Sequence, residues 1–85
     1  MTTLDPAKIA AETVNQVIAE GLATHPFGRW RNEDIRMHVL KAQRHLATFL
    51  LILDGHSPPD GELHLRNALT RTTMALTNYL HGPRA

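Results

Sequence analysis

Hydrophobic and polar positions along the chain fall into three helical stretches separated by two turn-rich ones. The longest regular stretch runs from Asn32 to Leu53, NEDIRMHVLKAQRHLATFLLIL. Ile35, Val39, Ala42, Leu46, Phe49 and Leu53 recur at alternating steps of four and three, which predicts an apolar seam for packing on a partner helix. Beside it, at the same spacing, runs a line of His38, Lys41, His45 and Thr48, able to donate hydrogen bonds and carry positive charge. Asn32 is the expected cap. Glu33 and Asp34 then fall in the first turn, where negative charge suits the helix dipole, so both acids have a structural explanation. Gly55 is placed to end the helix.

Asp5-Pro6 predicts an earlier start: Asp5 can cap and Pro6 suits the first helical position. Ala10, Val14, Val17, Ile18, Gly21 and Leu22 share a face to about Thr24, with Glu12 and Glu20 outside it. Gly21 marks either close packing or a weakened last turn. The segment GHSPPDG, 55–61, is a second turn, in which Ser57 can cap and Pro58 can open a last helix. On that helix Leu65, Leu69, Thr72, Leu76 and Tyr79 form the expected inner line, and His64, Asn67, Arg71, Met74 and Asn78 the adjacent one. His81-Gly82-Pro83 closes it. No alternating strand pattern or internal repeat interrupts this reading. The expectation is one all-α domain over 1–85, with helices at about 5–24, 32–54 and 58–81 and a long antiparallel hairpin dominating. Leu50, Leu51 and Ile52 exceed what one short helix covers, so a homo-oligomeric bundle is expected.

Composition narrows the function. A chain of 85 residues without cysteine has no disulfide or thiolate zinc site to staple it. The net charge of +1 argues against general nucleic-acid binding through many phosphate contacts. MTTLDPAKIAAE lacks the form of a signal peptide, and Phe49–Leu53 is too short an apolar run to span a bilayer. The expectation is a soluble, cytoplasmic chain with no membrane partner.

The segment THPFGRWR, 24–31, joins Phe27 and Trp30 with Arg29 and Arg31. It either plugs the gap between the first two helices or stacks a base on Trp30 while an arginine holds phosphate. His38 and His45 are seven residues apart, too far to grip one ion as an i,i+4 pair could, though His64 could approach from the facing helix. No metal site or cofactor is expected. GxSxG and GxxxxGK motifs are absent, as are the Glu-x-x-Glu and Glu-x-x-Asp steps that let a helical phosphohydrolase share hard cations. What remains is a binding surface: Trp30, His38, Lys41, Arg44, His45, His64, Arg71 and Tyr79, with Asn67, Asn78, Thr72 and Thr73 to read polar edges.

Gly21-Leu22, Phe27-Gly28-Arg29-Trp30, Arg44-His45-Leu46, Asp60-Gly61 and His64-Leu65 followed by Ala68 resemble the phage and bacterial dATP/dGTP diphosphohydrolase N-terminal domain family. Arg29 stands where that family usually has Asn. The resemblance implies a helical fold and dNTP pyrophosphohydrolase chemistry, with Asp60, Glu62, His45 and His64 as candidates. More loosely, Pro59-Asp60-Gly61-Glu62 leading into a helix with Met74 and Asn78 resembles the phage cyclic-nucleotide sponges that counter CBASS and Thoeris immunity. Those are oligomeric helical hairpins that sequester nucleotides without cutting them. That mechanism needs no metal carboxylates, so the leading expectation is a phage-type, non-catalytic binder of cyclic or phosphorylated nucleotides. A dNTP pyrophosphohydrolase and a protein-binding adaptor or inhibitor are the alternatives. The central helix would form one wall of a nucleotide site that another subunit completes.

Overall fold

The computed structural model describes residues 4–22, 29–55 and 60–82. They form α1 (Pro6–Leu22), a 3-10 turn (Arg29–Asn32), α2 (Ile35–Leu53) and α3 (Gly61–His81). α2 and α3 pack along one another, α1 lies against α3, and the 3-10 turn also meets α3. The fold is all-α, as the pattern predicts.

Local chemistry accounts for the helix ends. Asp5 Oδ1 accepts from the backbone N–H groups of Ala7 and Lys8 at 3.1 and 3.3 Å, and Pro6 opens α1. α2 begins three residues later than expected. Asn32 ends the 3-10 turn, and Asp34 caps the helix instead, accepting from Arg36 N–H at 3.0 Å. Gly55, at φ +83°, closes α2 in a conformation that strains other residues. Asp60 stands at the start of α3 without a side-chain capping bond. The expected cap Ser57 and opening Pro58 lie outside the described residues. A methyl group at Gly61 would meet the Phe49 ring at 3.0 Å, so any larger residue there requires the ring to give way by a few tenths of an ångström where α3 approaches α2.

The expected seam of α2 splits into two sets. Ala42 is buried and Ile35 and Phe49 are half-buried, whereas Val39, Leu46 and Leu53 face outward. The line beside the seam is the inner one: His38 is fully buried, and Lys41, His45 and Thr48 are half-buried. α3 makes the same exchange. Leu65, Thr72, Leu76 and Tyr79 of the expected inner line are exposed, while Met74 and Asn78 of the adjacent line are buried. Among the described residues the buried apolar side chains are Ala42, Ala68, Met74 and Ala75. The hairpin therefore closes on small and polar groups. Thr70, Thr72, Thr73 and Thr77 each donate their hydroxyl to the carbonyl four residues back at 2.8–2.9 Å, which satisfies hydroxyls inside the helix.

Candidate functional site

The site is built around the Trp30 backbone carbonyl. It accepts from Glu33 N–H at 3.3 Å, His38 Nε2 at 2.9 Å and Asn78 Nδ2 at 3.1 Å. Three elements thus fix one atom, and with it the 3-10 turn that carries Arg29, Trp30 and Arg31. Arg31 completes the clamp: it donates to Asn78 Oδ1 and, at 3.3 Å, to the Gly82 carbonyl at the end of α3. Its guanidinium also lies 5.6 Å from the Trp30 ring centroid, within cation–π range.

His38 is positioned by its neighbours. Its Nε2–H has only a carbonyl to bond, so Nδ1 carries the lone pair that accepts from Arg71 Nη1 at 3.1 Å. The same Arg71 nitrogen donates to Glu33 Oε2 at 3.1 Å, and Lys41 Nζ stands 3.6 Å from that oxygen. Burial alone would raise the Glu33 carboxyl. The Lys41 and Arg71 charges outweigh it and hold the group below its ordinary value.

Trp30, Glu33, Lys41 and Arg71 border a cavity of about 260 Å³ between α1 and the hairpin. Val17, Ile18 and Met74 supply an apolar side; Arg29, Lys41, Arg71 and Glu33 supply charge; Trp30 and Asn67 complete the wall. Three cations face one carboxylate, which leaves a cationic surplus in a partly enclosed space. The walls come from one chain, so a second subunit is not needed to form this cavity.

Of the eight candidate residues, Trp30, Lys41 and Arg71 line the cavity. His38 stands behind it as the link between Trp30 and Arg71. His45 and His64 form a separate pair one layer along the hairpin, Nδ1 to Nδ1 at 3.0 Å with ring centroids 5.3 Å apart. One ring must donate and the other accept, so the bond holds a single proton. Burial, then His64, Arg71 and Arg44, push the His45 imidazole down. Arg44 is exposed, Tyr79 is three-quarters exposed, and neither borders the cavity. The sequence names Arg29 with Arg31 in the Trp30 segment without choosing between them, and the structure puts Arg29 in the wall; Glu33 was missed, because it reads as a helix-start acid. With Asp34 rather than Asn32 as the cap, Glu33 lies before the helix and its carboxylate accepts from Arg71.

Among the described residues no three His, Asp or Glu side chains converge as a metal site would require. No helix there is long and apolar enough to cross a membrane. Comparison with protein-family models, curated proteins and solved structures returns no match. The likeness to the diphosphohydrolase domain and to the sponges therefore rests on the short motifs alone.

Proposed function

We propose that the chain is a non-catalytic binding protein for a phosphorylated nucleotide, taken into the cavity between α1 and the hairpin. The carrying observation is the surplus of Arg29, Lys41 and Arg71 over Glu33 beside the only tryptophan of the chain. Phosphate oxygens meet the three cations through charge-assisted bonds. A base stacks on Trp30, where an aromatic face accepts any base, and Asn67 reads its edge. Glu33 holds Arg71 and Lys41 in place until the ligand arrives, then accepts from an amino group or yields to the phosphate. A cavity of about 260 Å³ is small beside the roughly 300–1,000 Å³ of most ligand pockets, which favours one nucleotide unit over an entire cyclic dinucleotide. One chain supplies the binding cavity; the setting is the cytoplasm, of phage type as the sponge resemblance implies, and the action is sequestration of signalling nucleotides.

Calorimetric titration against nucleoside mono-, di- and triphosphates and against cyclic mono-, di- and trinucleotides tests this reading. Saturable heat with at least one phosphorylated nucleotide, recovered uncut, is expected. No heat with any, or magnesium-dependent release of pyrophosphate from dGTP or dATP, would overturn it.

A further inference from the structure

A second surface lies on the opposite side of the molecule. α1 occupies the flank of α3 that carries Arg66, Thr70 and Met74: Arg66 faces Glu20 at 4.0 Å, and Thr70 and Met74 share the cavity with Val17 and Ile18. Lys41 marks the same flank of α2. At 100° per residue, Leu65, Leu69, Leu76 and Tyr79 project from the other flank of α3, and Val39, Leu46, Leu50 and Leu53 from the other flank of α2. On α2, Val39, Gln43, Leu46, Leu50 and Leu53 step by four and three. On α3, Leu65, Leu69, Thr72, Leu76 and Tyr79 do the same. Neither line contains a charged residue. Except for half-buried Leu69, their apolar members are 43–75% exposed.

We infer that a second copy of this chain covers this face, so that two hairpins close into a four-helix bundle with α1 on the outside of each. The steps of four and three are the spacing of a helix–helix seam, and two adjacent seams on an antiparallel hairpin match the same face of another hairpin. Absence of charge lets identical faces meet without like-charge repulsion, as an isologous contact requires. The area suffices. α2 is about 28 Å long and two helices packed about 10 Å apart together span about 20 Å, so the face covers roughly 550 Å² per chain. Two such faces exceed the roughly 1,000 Å² at which specific association becomes stable. The stretches between successive elements, 23–28 and 54–60, are six and seven residues long, too short to cover it. Burial supplies the need: among the described residues the buried apolar side chains are three alanines and one methionine, a small apolar interior.

This inference goes beyond the nucleotide reading and does not depend on it, because the cavity and the leucine face lie on opposite flanks. Sedimentation equilibrium of the full chain is the test. A dimer in the low micromolar range is expected, weakened at least about 100-fold by Leu46→Glu together with Leu76→Glu, with Leu51→Glu, on the far side of α2, leaving it intact. As a milder probe, a single thiol placed by Leu46→Cys should react more slowly as protein concentration rises, while one placed by Ala11→Cys on α1 should not. A wild-type chain that stays monomeric at about 100 µM overturns the inference. So does assembly that persists in the double variant or is lost with Leu51→Glu, or a Leu46→Cys thiol whose rate ignores concentration. Failure here leaves calorimetric nucleotide binding untouched, and the reverse also holds.

Discussion

His38 shows how much one side chain can organise. Its ring lies wholly inside the protein and joins the Trp30 carbonyl to Arg71. Removing it takes one of three donors from the Trp30 carbonyl and one of two acceptors from Arg71, and opens a small cavity. His38→Ala should therefore destabilise the fold by about 2–4 kcal/mol, read as a lower urea midpoint. A change below about 0.5 kcal/mol would mean that the ring is not buried as described. Glu33 sits on the same network with a different role. Glu33→Gln removes the only carboxylate among the described residues that line the cavity, so affinity for a nucleoside triphosphate should rise several-fold in calorimetry. Weaker binding would show that the carboxylate itself holds the ligand. His45 gives a pH signature. Its folded-state value is lowered, so below about 6.5 the unfolded chain takes up the proton first and stability falls as pH drops, levelling off below the folded value. His45→Gln should flatten that limb of a stability-against-pH curve. An unchanged limb would place the proton elsewhere.

At the scale of elements, the helix count, the hairpin and the chemistry of Asp5, Pro6 and Gly55 were legible, because capping and turn residues act within a few positions of themselves. The orientation of α2 and α3 was not. Periodicity identifies a leucine line, but a leucine line is equally apolar whether its own chain or another copy covers it. Small residues decided the matter: Ala42, Ala68 and Ala75 let the helices approach where Leu46 and Leu76 would hold them apart. Polar residues followed them inward because each found a partner, as His38 did in Arg71 and Asn78 in Arg31 and the Trp30 carbonyl. The first helix offers a local check. Among the described residues nothing lies within 4 Å of a methyl group built on Gly21, so none of them packs closely against this glycine. Gly21→Ala should stabilise α1, by up to about 1 kcal/mol, and raise the melting temperature. A loss would reveal a neighbour that the methyl group strikes.

The whole molecule has two working sides. One carries the cationic cavity between α1 and the hairpin, with Trp30 in its wall. The other carries the uncharged leucine face. The first was partly legible: Trp30, Lys41 and Arg71 stood out as types suited to a nucleotide, and the fold brings them together. Arg44 and Tyr79 also stood out but point elsewhere, since side-chain type alone carries no direction. Because the chain has one tryptophan, its fluorescence reports on the cavity without a label. The decisive measurement is a fluorescence titration with a nucleoside triphosphate and with the matching unphosphorylated nucleoside, on the wild type and on Lys41→Ala. The account predicts a saturable change with the triphosphate that weakens about tenfold in Lys41→Ala and with added salt, and little response to the nucleoside. No response to any phosphorylated nucleotide, or an equal response to the nucleoside and in Lys41→Ala, would contradict it.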